Sequence, residues 1–172
     1  METLSLETKY LENWLRDAHA MEKQAEEMLE KQAERLVDYP ELKARIEQHL
    51  NETRHQSDRL EQAMAGLDID TSALKDLGGK ITAFGQALGG MMMDDEVMKG
   101  SIACYAFEHF EIANYKALIQ AAESSGHAGV AQVCKEILQE EIAMADWLAD
   151  HLESTTTQFL QRADDDGQRA KR

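Results

Sequence analysis

The sequence predicts an all-α protein, and composition, punctuation and periodicity each point that way. Its 172 residues include 1 proline and only 6% aromatic residues, while Ala, Glu, Leu, Gln and Met are abundant. These are strong helix formers, and strand-favouring aromatic side chains are scarce. Breaker residues cluster at a few places, which leaves four long uninterrupted stretches. Within each stretch apolar residues recur at spacings of four and three, the period of a helix packed in a bundle.

The first helix is expected from Leu6 to Val37. Asp38-Tyr39-Pro40 ends it, because the proline pushes Tyr39 out of the helical region and Pro40 suits the first position of a new helix. The second helix runs from Glu41 to Ala65 and stops at Gly66. Across residues 67–93, Gly78, Gly79, Gly85, Gly89 and Gly90 interrupt short apolar pieces, which reads as a crossover with a short helix around Ser72–Leu88. Asp94 and Asp95 offer caps for a third helix ending at Glu123. Ser124-Ser125-Gly126 makes a turn, and a fourth helix follows from His127 to Leu152, loosened at Thr155-Thr156-Thr157. Residues 1–163 would form one domain and 164–172 a frayed polar tail. Two short turns and one long connection describe two antiparallel hairpins joined by a crossover, the ferritin-like form of the four-helix bundle.

Charge excludes several function classes. There are 18 Lys+Arg against 33 Asp+Glu, a formal net charge of −15, which repels phosphate backbones and speaks against a nucleic-acid partner. A hydrophobic content of 43% is too high for a disordered acidic chain. No leading apolar segment and no membrane-length apolar run is present, so a soluble cytoplasmic protein with no membrane partner is expected. Cys104 and Cys134 should be buried thiols, too far apart for a bridge. No GxSxG, phosphate loop or CxxC pair occurs, so hydrolase, nucleotide and thiol-redox chemistry have no motif behind them.

The main feature is that every apolar seam is interrupted near its middle. The first helix reads Leu15, Ala18, Glu22, Ala25, Leu29 and the second Ile46, His49, Thr53, Gln56, Leu60. The third reads Cys104, Glu108, Glu111, Tyr115, Leu118 and the fourth Cys134, Ile137, Glu141, Met144, Leu148. An ionised carboxylate in a bundle core costs several kcal/mol unless it is neutralised, paired or bound to a metal. Glutamates on three helices, with His49 and the adjacent Glu52 on the fourth, need a common counter-charge, and no seam Lys or Arg supplies it. A pair of divalent cations brings about four positive charges and suits oxygen ligands plus imidazole. This is the logic of di-iron and di-manganese carboxylate bundles.

Depth agrees. At the rise of a helix, Glu22 lies about 21 Å before the first turn and Glu52 about 17 Å after it; Glu108 and Glu111 lie about 18–22 Å before the second turn and Glu141 about 21 Å after it. With the turns at opposite ends, all of them meet near mid-bundle. Phase sorts the candidates further: His49 sits near the centre of its stripe, Glu52 on the flank and His55 outside, which favours the His49–Glu52 pair over Glu52–His55. His19 lies off the seam. Glu140 and Glu141 fit the stripe equally, so both remain candidates. Tyr115 could hydrogen-bond a ligand carboxylate or simply fill space, and Trp14 and Trp147 read as packing residues. Met91-Met92-Met93 reads as a loop-to-helix junction. His109 shares a second apolar face of the third helix with Met98, Ile102, Tyr105 and Ile112; the crossover or a second copy of the chain should cover it, and a homodimer is the simplest assembly.

Several of these segments carry a family resemblance. Trp14-Leu15-Arg16-Asp17-Ala18-His19-Ala20-Met21-Glu22-Lys23-Gln24, Tyr39-Pro40-Glu41-Leu42, His49-Leu50-Asn51-Glu52-Thr53, Phe107-Glu108, Phe110-Glu111-Ile112-Ala113 and Glu140-Glu141 closely resemble the YciE branch of the YciE/YciF-type bacterial stress proteins, over nearly the whole chain. The resemblance implies a ferritin-like bundle with a dinuclear metal site and a stress-associated role. By matching position it assigns Glu22, His49, Glu52, Glu108, Glu111 and Glu140 or Glu141 to the shared pattern. The helix-four ExxH of the wider ferritin-like class is missing, since Met144 stands where the histidine would be. The expected function is an oxidative metal-carboxylate protein, in which two iron or manganese ions bridged by Glu52 and a helix-four carboxylate meet oxygen or peroxide. The alternatives are a non-catalytic metal-binding module and a metal-free helical interaction protein.

Overall fold

The computed structural model describes residues 6–69 and 97–165. They form four helices: α1 (Leu6–Arg35), α2 (Pro40–Gly66), α3 (Val97–Ser124) and α4 (Ala128–Asp165). Most of the expected crossover, its short helix, Met91-Met92-Met93, the Asp94 and Asp95 caps and most of the tail lie outside the described residues.

The turns follow local chemistry. Tyr39 adopts φ −125° and ψ 67°, outside the helical region that a following proline disfavours, and α2 begins at Pro40. At the end of α3, Gly126 takes φ 80°, while its N–H donates to Glu123 O at 3.2 Å and the His127 N–H to Ala122 O at 2.8 Å. This glycine-dependent closure satisfies the last carbonyls and sends α4 back along α3.

Helix α4 continues through the threonine run where loosening was expected. Thr156 Oγ1 donates to Leu152 O at 2.7 Å and Thr157 Oγ1 to Glu153 O at 3.0 Å, so the hydroxyls fold back onto the helix instead of competing with it. The extra turns reach the α1–α2 corner, where the Arg162 guanidinium lies over the Tyr39 ring at 4.8 Å and 3.7 Å from Asp38 Oδ1.

Each helix has two neighbours: α1 lies against α2 and α3, and α4 against α3 and α2, the last pair approaching least closely. Glu22 in mid α1 meets Tyr115 late in α3, and a Cβ on Gly100 at the start of α3 would run into Gln32 late in α1. The two helices are therefore antiparallel. Likewise Glu41 at the start of α2 faces His151 late in α4 at 3.6 Å, and Gln56 faces Glu140. Every neighbouring pair is antiparallel, as a ferritin-like crossover requires.

Two apolar clusters fill the bundle. One gathers Leu11, Leu15, Leu60, Met64, Phe107, Leu118 and Ile137; the other gathers Leu29, Leu36, Ile46, Val97, Met144 and Leu148. Cys134 belongs to the first and Cys104 to the second, both buried and free. Trp14 packs at the edge of the bundle: it is 40% exposed beside Tyr10, with ring centroids 5.8 Å apart, because Leu11 and Leu15 hold the inward face. On the outer stripe of α3, Ile112 is buried and Ile102 is 45% exposed. Among the described residues no helix is long and apolar enough to cross a membrane.

Candidate metal centre

The polar interruptions of the four seams meet between the two apolar clusters. Glu22, His49, Glu108, Glu111 and Glu141 are all buried, as are Thr53 and Gln56. His49, Glu108, Glu111 and Glu141 each offer a ligand atom within 4.8 Å of the others. Three helices thus aim an imidazole and three carboxylates at one point.

This is a set of charges without partners. His49 Nε2 lies 3.1 Å from Glu108 Oε2 and 3.5 Å from Glu141 Oε2, yet none of these atoms finds a hydrogen bond of good geometry. Glu22 Oε2, Glu111 Oε1 and both oxygens of Glu141 are likewise buried and unpartnered. Native interiors seldom leave such groups unmet, and each lone one costs free energy. Oxygen-rich donors around one imidazole suit a hard or borderline divalent ion, so the group could hold a metal.

Electrostatics describes how the centre stands without one. Burial raises the Glu22 and Glu111 carboxyls far above the usual range, and the neighbouring charge of Glu141 raises them further. Burial pushes Glu108 up to about 8 although His49 opposes it. Glu141 goes the other way: burial would raise it, but His49, with Glu108 and Glu111 beside it, holds it low. For His49, burial disfavours the charge, and Glu108, Glu141 and Glu52 outweigh it, leaving the imidazole well above its ordinary value. In the metal-free centre these shifts favour the protonated forms of Glu22, Glu108, Glu111 and His49 and the ionised form of Glu141. A metal would replace those protons.

The supporting contacts are specific. Tyr115 donates its hydroxyl to Glu22 Oε1, which fixes that carboxylate and leaves its other oxygen open. His49 Nδ1 pairs with Glu52 Oε2 at 2.8 Å, so Nε2 faces the glutamates. Glu52 also accepts from Gln48 Nε2 at 2.8 Å and Arg45 Nη1 at 3.2 Å. The His49 hydrogen bond, with Gln48 and Arg45, brings its carboxyl down to about 2 against the effect of burial.

The structure does not bring every expected residue to the group. Glu52 sits on the outer ring nitrogen of His49, with the imidazole between it and Glu108. Glu140 is turned aside to Gln56, whose Nε2 donates to it at 2.9 Å, and to Arg59. Glu141, the alternative on the same helix, is fully buried within the group. His55 and His109 are exposed, while His19 is buried against Glu61 Oε1 at 2.8 Å. Arg45, Gln48 and Arg59 escaped the sequence reading. Arg45, Glu52 and Arg59 recur every seven residues on one flank of α2, a signal that could have found them.

Comparison with known proteins adds relatives. The family profile described as a domain of unknown function, DUF892, matches residues 6–161. Protein YciF of Escherichia coli K12 is 31% identical over 134 residues, 75% of this chain and 80% of that protein. A solved structure from Xanthomonas campestris pv. campestris is 44% identical, with a TM-score of 0.77 over 93% of this chain and 99% of that one. The crystal structure of the E. coli stress protein YciF is 27% identical, with a TM-score of 0.70 over 88% of this chain and 96% of that one.

Proposed function

The chain belongs to the DUF892 family of YciE/YciF-type proteins, and from that membership and the buried acidic group we propose that it is a dinuclear iron or manganese protein of the YciE branch, reacting with a small oxidant. The observation that carries the proposal is the convergence of four ligand atoms within 4.8 Å, with their neighbours' oxygens left unpartnered.

Glu22, His49, Glu108, Glu111 and Glu141 would hold the ions. When bound, such a pair supplies Lewis acidity and changes of oxidation state toward oxygen or peroxide. The chain's own contribution is positional. Tyr115 orients Glu22, Glu52 fixes the His49 ring so that Nε2 points inward, and the apolar clusters on either side keep bulk water from the centre. In this reading the protein serves a stress response in the cytoplasm and assembles with a second copy across the Ile102 stripe of α3.

Elemental analysis of protein expressed with ample metal, combined with anomalous diffraction, tests ligands and metal identity together. Two anomalous peaks among Glu22, His49, Glu108, Glu111 and Glu141 are expected, and a protein without metal sinks the proposal. Aerobic mixing of Fe(II) with the metal-free chain should then give oxidation faster than in buffer. A second reading, binding without turnover, is favoured by one observation: fully buried Met144 stands one turn beyond Glu141, where an imidazole from α4 would reach the centre. A large rise in melting temperature on metal addition with no Fe(II) oxidation would select it.

A further inference from the structure

The acidic centre is enclosed by apolar clusters along the bundle axis, so a cation has to reach it from the side. Of the residues expected at the site, only two carry notable exposure: the Glu52 side chain at 26% and that of Glu140 at 33%. Both border the seam between α2 and α4. Arg59 on α2 reaches Glu140 on α4, and Glu52 stands two turns before Arg59 on the same flank. The opposite flank of α2 faces α1, through Arg54 to Glu26 and Glu61 to His19. The α2–α4 seam is also the least closely packed of the four.

Behind the surface pair lie buried oxygens. Gln56 is fully buried, two turns beyond His49 on the same stripe; its Nε2 holds Glu140 at 2.9 Å while its Oε1 has no partner. Thr53, between Gln56 and His49, is buried with Oγ1 also unpartnered. Outside, a groove of about 420 Å³ between the end of α2 and the start of α4, lined by Ala63, Leu67, His127, Val130 and Val133, reaches Arg59.

We propose that the α2–α4 seam is the route by which divalent cations enter the centre, with Glu140 as the receiving carboxylate, Arg59 as its gate, and Gln56 Oε1 and Thr53 Oγ1 as oxygen steps inward. It rests on the metal-binding reading above. The chain's net charge of −15 draws cations to the surface. Glu140 exchanges Arg59 for the arriving ion, and hard oxygen donors replace part of its hydration on the way. Glu140 is thus a transit residue, not a resident ligand.

The test is stopped-flow loading of the metal-free full-length chain with Co(II), followed by its absorption, with final occupancy by elemental analysis and folding by circular dichroism melting. Glu140→Gln and Gln56→Leu should load roughly tenfold more slowly and reach the wild-type occupancy. Arg59→Gln should load faster. Glu123→Gln, an exposed carboxylate distant from the seam, should load at the wild-type rate. If the folded Glu140→Gln variant loads at the wild-type rate, or Glu123→Gln slows as much, the route is overturned while the metal centre stands. If Glu140→Gln lowers final occupancy, Glu140 is a ligand and the route is again overturned. Failure of the wild-type chain to bind Co(II), Fe(II) or Mn(II) overturns the centre and the route together.

Discussion

The two hairpins contribute to the centre in opposite ways. The α3–α4 hairpin sends in Glu108, Glu111 and Glu141, three buried carboxylates with no cation of their own, and its only arginine among the described residues is Arg162 at the far end. The α1–α2 hairpin sends in Glu22 and the one imidazole, His49, and surrounds itself with Arg45, Arg54 and Arg59 in ion pairs. One half therefore meets its outer charges with arginines and leaves Glu22 Oε2 and His49 Nε2 open at the centre, while the other sends in carboxylates with no arginine of its own near them. Bundles that place an Glu-x-x-His pair on two helices share imidazoles between halves; here Met144 replaces the second, and the donor set becomes rich in oxygen. The open half then has three ways to reach neutrality: protons, His49 or metal ions.

Removing donors from each half gives the largest expected effect. Glu141→Ala takes out the carboxylate that acts on Glu22, Glu108, Glu111 and His49 alike and should abolish metal binding, as read by isothermal titration with Fe(II) under anaerobic conditions or with Mn(II). Glu52→Ala, on the outer nitrogen of His49, should retain binding and weaken it about 10–100-fold, the usual effect of losing a partner that orients a ligand. Equal losses in the two variants would place Glu52 inside the centre and erase the distinction between the hairpins.

Acid–base behaviour sharpens it next. In the metal-free fold Glu108 keeps its proton up to a pKa of about 8, against 4.5 ordinarily, so between those values the folded state binds more protons than the unfolded one. Stability then falls as pH rises across that window. Raised Glu22 and Glu111 act in the same sense, as does raised His49, whose contribution is complete below 6.5 and lost as pH climbs through its folded value. Glu52 and Glu141 are lowered, so their contribution is present above 4.5 and lost as pH falls. The metal-free protein should melt highest near pH 5 and on the order of 10 °C lower by pH 9, since a kcal/mol corresponds to about 2–4 °C at this size. Glu111→Gln should flatten the slope, and saturating metal should remove most of it. A melting temperature that rises from pH 5 to 8 without metal would contradict the protonated centre. Metal binding should also release protons, measurable in a weakly buffered titration.

How much of this was readable in the sequence depends on whether a residue's fate is set by its own helix. Glu22, His49, Glu108, Glu111 and Glu141 interrupt apolar seams, and helical phase alone placed them inside. Glu140 and Glu141 straddle the stripe, and what separates them is Gln56 and Arg59 on another helix, which spacing within α4 cannot reveal. Glu52 was set beside His49 by its i+3 position, yet which ring nitrogen it meets depends on the imidazole's rotation, which carboxylates on other helices, Glu108 among them, share in setting. Trp14 read as a packing residue, and its phase, about 100° from Leu15, leaves it at the edge of the bundle beside Tyr10. The threonine run looked weak by intrinsic propensity, and tertiary contact at the far end of α4 overrode that.

That far end provides the smallest test, because it joins the halves without touching the centre. Arg162 is the closed counterpart of the open carboxylates: it belongs to the carboxylate-rich hairpin but finds its partners, Tyr39 and Asp38, on the other. The pair with Asp38 is partly exposed and contributes little in water, so the guanidinium–ring contact should dominate, at about 0.5–1 kcal/mol. Arg162→Ala should therefore lower the melting temperature by about 1–4 °C, while Asp38→Asn changes it less. Metal affinity should be unchanged in both, since the corner lies beyond the second apolar cluster from Glu141. A loss of affinity in Arg162→Ala would mean that the register of α4 along α2, and with it the position of Glu141 opposite His49, is set from this corner and not by packing around the centre itself.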